Sequence, residues 1–253
     1  MTAFHAIILG IIQGITEFFP ISSSAHLILL RPVLGFGEPD LWFDVFLHGG
    51  TLLAVFIFLI PHYWRLFRKP LEMVWVLVAT IPAAIFGILF ESKVELAVRS
   101  NVPLICSLLM VVGVIFLFVR DRGWKKLEDI RMREALLIGL ARALALLPGV
   151  SRSGITLLMA LLLGIRREDA VLFSFFLSLT TLGGAFAKGI MELHSAGGVS
   201  LRVLAPGFIA AFICGMIACF FLLRVVKKKG LVPFGYYRIV FGVAMILFFL
   251  IRG

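Results

Sequence analysis

Six runs of this chain, near 41–60, 71–90, 102–119, 170–187, 203–223 and 234–251, are almost wholly apolar. As helices rising ~1.5 Å per residue, runs of ~20 residues cross the ~30 Å hydrocarbon layer of a bilayer. Six full transmembrane helices are therefore predicted. What remains cannot make a water-facing surface: 61% of the 253 residues are hydrophobic and 15% charged, whereas soluble domains keep about a quarter charged. Soluble enzymes, disordered scaffolds and collagen-like chains are excluded. The net charge of +10 falls in short clusters between the apolar runs, which suits loops beside anionic lipid and argues against a nucleic-acid partner. Cys106, Cys214 and Cys219 lie within apolar runs without metal-ligand spacing and read as packing residues. The opening stretch MTAFHAIILGIIQGITEFF lacks a basic region and contains Gln13 and Glu17, so it is not expected to be a cleaved signal.

Two further apolar segments, 3–30 and 135–163, are broken by Pro20 and by Pro148-Gly149 beside clusters of serine. Each half is too short to cross. A broken helix at membrane depth is tolerated only where protein or a wet cavity satisfies its loosened backbone, so both segments are predicted to be re-entrant helical hairpins. Pro20 and Pro148 are 128 residues apart, and the same offset relates Ser23 to Ser151 and Gly87 to Gly215; an offset near 130 relates Phe43 to Phe173 and Thr51 to Thr181. The chain thus reads as one all-α polytopic membrane domain, 1–253, duplicated internally into a first repeat, 1–120, and a second, 131–253. Each repeat holds one returning hairpin and three crossings. An odd number of crossings makes the second repeat enter from the opposite face, an inverted topology.

Charge orients the prediction. Arg65, Arg68, Lys69, Arg120, Arg122, Lys125, Lys126, Arg131, Arg133, Arg166, Arg167, Arg224, Lys227, Lys228, Lys229 and Arg238 fall on one side, sixteen in all. The other side holds six: Arg31, Lys93, Arg99, Lys188, Arg202 and Arg252. The positive-inside rule puts the first set in the cytoplasm and both termini outside. Hairpin one then opens outward and hairpin two inward, with their tips meeting near the midplane.

The tips concentrate the polar chemistry. Gln13 and Glu17 are four apart and share a helix face; Pro20 ends that helix, and Ser22 or Ser23 can cap the next, which carries His26. In hairpin two, Pro148-Gly149 stops a helix and Ser151 can cap another bearing Arg152, Ser153 and Thr156. Its first turn offers N–H groups and a helix dipole to an anion, and Arg152 adds a forked donor suited to phosphate. An arginine near the bilayer centre costs at least ~2.5 kcal/mol, so it calls for a partner such as Glu17 or a bound anion. Bland readings stand beside these. Ser22, Ser24 and Ser153 could merely satisfy loosened backbone, and Glu17 with Arg152 could be a structural ion pair. Asp44 and His48 form a second polar rung, a structural pair four residues apart, or an interfacial cap at the start of a span. Arg142 is expected to reach toward the cytoplasmic rim, outside the site.

The stretches QGITEFFPISSSAH at 13–26 and PGVSRSGIT at 148–156, with FDVFLHGGT at 43–51, resemble the signatures of the undecaprenyl-diphosphatase family of the bacitracin-resistance type. The resemblance covers essentially the whole chain. It implies a bacterial inner-membrane enzyme that takes the terminal phosphate from a C55 isoprenoid diphosphate, regenerating the carrier for peptidoglycan and conferring bacitracin resistance by shrinking the pool the drug captures. By motif position it implies an acidic pair at Gln13 and Glu17, a nucleophilic serine at Ser23, a histidine at His26, and phosphate contacts at Ser151, Arg152, Ser153 and Thr156, with Ser22 beside them. A divalent cation, Mg²⁺ or Ca²⁺, is implied by resemblance alone, with Glu17 as its ligand; Gln13 cannot supply a second carboxylate. The histidine that type-2 phosphatidic acid phosphatases place shortly after a Ser-Arg pair is absent after Ser151-Arg152.

The expected reaction is hydrolysis, by Ser23 activated through His26 or Glu17, or by water that Glu17 orients, with Arg152 gripping the diphosphate. The substrate head is expected from the periplasmic side, its prenyl tail staying in lipid. Polyprenyl diphosphate and membrane lipids are the expected partners, with a homodimer left open. The rival reading is a secondary transporter or flippase for a lipid phosphate or other anion, since inverted repeats with broken helices also build carriers.

Overall fold

The computed structural model describes residues 2–36, 41–119, 123–193 and 201–252. Helix α1, Ala3–Phe18, stops where Pro20 forces Phe19 into extended backbone. After it come α2 (Ser23–Val33), α3 (Leu41–Arg68), α4 (Pro70–Val98) and α5 (Val102–Phe118). The second half runs α6 (Met132–Ala143), α7 (Arg152–Leu162), α8 (Arg167–Leu193), α9 (Leu201–Lys229) and α10 (Val232–Arg252), with a 3₁₀ turn at Leu144–Leu146 leading out of α6. The result is an all-α, multi-pass membrane architecture. Among the described residues five helices, α3, α4, α8, α9 and α10, are long and apolar enough to cross. The sixth expected span is α5, whose 17 residues reach about 25 Å at the usual rise. Burial separates the centre of the bundle from its periphery. About half of the most apolar stretch of α3 and α8 is covered by protein (50% and 56%), against 17% and 22% for α4 and α10, whose Ile, Leu and Phe side chains remain for lipid.

Small residues set how the broken helices dock. A Cβ on Gly10 or Gly14 of α1 would lie 2.3 Å from Gly207 O or 2.6 Å from Ala211 O of α9. A Cβ on Gly139 of α6 would lie 2.4 Å from Ala79 O of α4. Each pair of backbones is therefore too close for any side chain. Gly14→Ala is expected to destabilise the protein by about 1–3 kcal/mol through overpacking. Gly183→Ala, where nothing lies within 4 Å of the added atom, should be neutral or slightly stabilising for a helical glycine. Thermal unfolding in detergent compares the two, and equal melting temperatures would contradict this packing.

One end of the bundle gathers the basic loops. Lys69 pairs with Glu128, Lys125 with Glu134 at 2.8 Å and Lys227 with Glu168 at 2.5 Å, while Trp124 and Lys125 hydrogen-bond to Gly164 at 3.0 and 2.9 Å. At the other end Arg31 pairs with Asp44, and Arg99 lies 4.0 Å from the same carboxylate. Asp44 is thereby a structural partner of Arg31. Arg120 and Arg122 lie outside the described residues. Two basic residues are placed differently from the sequence expectation. Arg238 belongs to no loop: it is fully buried in α10, held by the backbone carbonyls of the hairpin tips. Arg142 does not reach a rim: it is 3% exposed, because the hydroxyls of Thr156 and Thr181 receive it inside the bundle.

The breaks of the two hairpins correspond, one position away from the pairing of Ser23 with Ser151. Ser22 (φ 73°) and Ser151 (φ 79°) are the described non-glycine residues with left-handed φ, and each immediately precedes its hairpin's second helix. One residue separates Pro20 from Ser22, and two separate Pro148 from Ser151. The extra residue shifts the register.

Candidate functional site

The tips are tied to each other before they bind anything. Gly149 N–H donates to Ser22 Oγ at 3.1 Å, and Ser153 Oγ donates to Phe19 O at 3.1 Å. Arg238 locks the junction, its Nε donating to Leu109 O at 3.1 Å, Nη1 to Pro20 O at 3.0 Å, and Nη2 to Gly149 O and to Val150 O at 3.3 Å. Carbonyls freed by both chain breaks thus find a charged donor, which answers the cost of unpaired backbone in an apolar surround. Gly149, at φ 105°, brings the second tip so close that a Cβ would lie 2.7 Å from Ile105 O. Left-handed φ at two serines costs of order 1–3 kcal/mol each, and such strain persists where the surrounding bonds over-determine it.

Around this junction α1 contributes Gln13 and Glu17, one turn apart. Glu17 is buried, with side-chain exposure of 5%. Its Oε2 accepts from Ser23 Oγ at 2.6 Å and from Gln13 Nε2 at 2.9 Å; its Oε1 accepts from Arg152 Nη2 at 3.2 Å. Carboxylate and guanidinium therefore come from different hairpins and meet at one point. Arg152 is the more open partner, at 34%, and a cleft lined by Glu17, Ser22, Ser23, Ser24, Ala145, Ser151 and Arg152 lies over the pair. Ser151 caps α7, its Oγ accepting from Gly154 N–H at 3.1 Å and lying 3.2 Å from Ser153 Oγ.

His48 of α3 joins the cluster: its Nδ1 lies 2.8 Å from Gln13 Nε2 and 3.7 Å from Glu17 Oε2. With the amide nitrogen donating, Nδ1 is the acceptor. Of the polar rung, His48 joins this cluster, while Asp44 pairs with Arg31. His26 is buried but does not face Ser23. Its Nδ1 donates to Ser22 O at 2.8 Å, its Nε2 accepts from Tyr237 O–H at 2.8 Å, and it stacks on Phe241 with centroids 4.1 Å apart. Thr156 is likewise turned away from the cleft, its hydroxyl donating to Arg152 O at 2.7 Å and accepting from Arg142 Nη1 at 3.1 Å.

The structure thus brings Gln13, Glu17, Ser22, Ser23, Ser151, Arg152 and Ser153 together, and sets His26 and Thr156 behind them. Arg238, Tyr237 and Arg142 were not legible as site residues. A signal existed for Arg238, which sits inside the apolar run VPFGYYRIVFG and falls under the same rule for intramembrane charges that singled out Arg152.

A buried carboxylate accepting a serine hydroxyl, beside an arginine at a helix N-terminus, can take a proton from a nucleophile while an anion is held against the guanidinium. Comparison with known proteins bears on which anion. The model of the family described as bacitracin resistance protein BacA matches residues 6–244. The undecaprenyl-diphosphatase of Caldicellulosiruptor bescii is 42% identical over 264 residues, spanning 100% of both chains. Those of Teredinibacter turnerae and Geotalea daltonii are each 40% identical, covering 98% of this chain and 99% and 98% of their own.

Proposed function

We propose, because this chain belongs to the BacA family of undecaprenyl-diphosphatases, that Glu17, Ser23 and Arg152 are the groups with which it removes a phosphate from its lipid. The enzyme dephosphorylates undecaprenyl diphosphate to undecaprenyl phosphate and inorganic phosphate. The observation that carries the assignment is the shared carboxylate, bonded through one oxygen to Ser23 Oγ at 2.6 Å and through the other to Arg152 at 3.2 Å.

In this reading Ser23 Oγ attacks the terminal phosphorus and its proton passes to Glu17 Oε2. The bond from that phosphorus to the bridging oxygen breaks, and undecaprenyl phosphate leaves with the electron pair. Glu17 passes that proton to the departing undecaprenyl phosphate. Water then attacks the phosphoserine, Glu17 takes a proton from the water and returns it to Ser23 Oγ as the Oγ–phosphorus bond breaks, and inorganic phosphate departs with Ser23 restored. Arg152 and the first turn of α7 face the charge on the equatorial oxygens. His26, with both ring nitrogens engaged by Ser22 O and Tyr237 O–H, positions the turn that carries Ser23. Gln13 Oε1 is buried without a hydrogen-bond partner, and with the Glu17 carboxylate it fits a hard divalent cation completed by phosphate oxygens. Such an ion, Mg²⁺ or Ca²⁺, would neutralise phosphate charge when bound.

The same reading takes α3, α4, α5, α8, α9 and α10 as six crossings, and α1–α2 and α6–α7 as re-entrant hairpins of two inverted repeats, 1–120 and 131–253. Its support is the matching dock of Gly10 in α1 on α9 and Gly139 in α6 on α4, with one left-handed serine in each tip. The end bearing Lys69, Lys125 and Lys227 is cytoplasmic by the positive-inside rule, which leaves both termini and the cleft to the periplasm of the inner membrane. With the native cysteines replaced by alanine, Ser24→Cys should react with an impermeant maleimide applied from the periplasmic side. Labelling from the cytoplasmic side alone would contradict this orientation. A transporter of lipid phosphates is the other use of such an architecture. Phosphate release from undecaprenyl diphosphate by the purified protein in detergent separates the two, since a carrier releases none.

A further inference from the structure

Arg142 has no part in the reaction as described, yet its burial calls for an account. It sits in the last turn of α6 with 3% of its surface exposed. Nη1 donates to Thr156 Oγ1 at 3.1 Å and Nη2 to Thr181 Oγ1 at 2.7 Å, while Nε, also buried, has no partner. Both threonines spend their own protons on helix carbonyls, Thr156 on Arg152 O at 2.7 Å and Thr181 on Leu177 O at 2.8 Å. They offer Arg142 lone pairs and no charge. Arg31 has Asp44 and Arg152 has Glu17, but Arg142 forms no ion pair among the described residues. A guanidinium buried on hydroxyls alone is poorly compensated.

A second, independent observation lies on the facing helix. Ser174, Ser178 and Thr181 of α8 are spaced four and three apart, so they share one helix face. Ser174 is 1% exposed and its Oγ has no hydrogen-bond partner. The face that gives Arg142 its hydroxyl therefore continues as a buried polar strip with spare capacity. The charges gathered at the hairpins point the same way. Glu17 is one negative charge, against Arg152, Arg142 and Arg238, and the donors of Arg238 are taken by backbone carbonyls. Positive charge is in excess at the junction, and Arg142 Nε is a buried donor there without a hydrogen-bond partner.

We propose that Arg142, its guanidinium positioned by Thr156 and Thr181, is a second phosphate-binding site, set behind Arg152 across the first turn of α7. Its ligand is a phosphate group, either inorganic phosphate or the headgroup of a prenyl monophosphate. The site rests on the proposed function for where that phosphate arises, but binding is measured without turnover.

The test is phosphate-dependent thermal stabilisation of the full-length protein in detergent at constant ionic strength, titrating inorganic phosphate and, separately, farnesyl monophosphate. Arg152→Gln should still be stabilised, because the second site remains. Arg142→Gln should weaken the apparent affinity for at least one ligand tenfold or more, Arg142→Lys should recover part of it, and the double variant should lose the response. A loss confined to inorganic phosphate identifies the free product as the ligand; a loss confined to farnesyl monophosphate identifies the lipid headgroup. If Arg142→Gln does not fold, Thr181→Val carries the test, with at least a threefold weakening expected. Affinities unchanged within twofold for both ligands in the variant that folds would overturn the proposal, even with hydrolysis intact. A phosphate response that requires Arg142, in a protein that releases no phosphate from undecaprenyl diphosphate, would instead keep this site and remove the function assigned to Glu17 and Ser23.

Discussion

Glu17→Gln is expected to lower kcat on undecaprenyl diphosphate by at least about a thousandfold while leaving KM unchanged or lower. General-base catalysis by a positioned carboxylate contributes about 10²–10⁴, and the amide that replaces it cannot accept the proton of Ser23 Oγ, now 2.6 Å from Oε2. KM moves the other way because the substrate is an anion. Removing the carboxylate beside Arg152 relieves repulsion and leaves the guanidinium to the diphosphate, so binding is kept while chemistry is lost. A merely structural Glu17 would give a different result, with turnover and binding declining together as the variant lost its fold. Steady-state kinetics with a melting curve of the same preparation distinguishes them, and a kcat within tenfold of wild type would refute the role of the base.

Arg152→Ala acts on the other partner and should cost about 10²–10³ in kcat/KM, the usual effect of removing one preorganised donor to a charged transition state. Arg152→Lys should restore only part of it, since an ammonium keeps the charge and loses the planar fork. The alanine variant also leaves Glu17 buried with its Oε1 contact gone. Some loss of stability is therefore expected, because removing one member of a buried pair strands the other. Comparing lysine with alanine separates the two effects. If the lysine enzyme is as stable as wild type and still slow, Arg152 acts on substrate; if lysine is fully active, the fork is not needed.

Much of the architecture was legible because membrane constraints are severe. A run of apolar residues as long as 203–223 admits few alternatives, and proline beside serine inside such a run announces a chain break at membrane depth. The meeting of Glu17 with Arg152 was foreseeable for a related reason: buried opposite charges have to find each other. The failures concern residues whose partners are backbone or distant in sequence. Arg238 is expected among the cytoplasmic loop charges, but its partners are the carbonyls of Leu109, Pro20, Gly149 and Val150, the last three of which become acceptors only once two chain breaks meet. Arg142 is expected at the cytoplasmic rim, but its hydroxyl partners, Thr156 and Thr181, come from α7 and α8, far from it in sequence. His26 follows Ser23 by three residues, but the left-handed turn at Ser22 rotates the start of α2 so that its ring bonds to Ser22 O and Tyr237.

The central claim is that one carboxylate at the joined tips of two hairpins draws the proton from Ser23 as phosphorus is attacked. Brief turnover of undecaprenyl diphosphate labelled with ³²P on its terminal phosphate, quenched in acid and mapped by peptide, tests it most directly. The label is expected on the peptide containing Ser23, and Ser23→Ala should show neither label nor turnover. Wild-type turnover by Ser23→Ala would contradict the account.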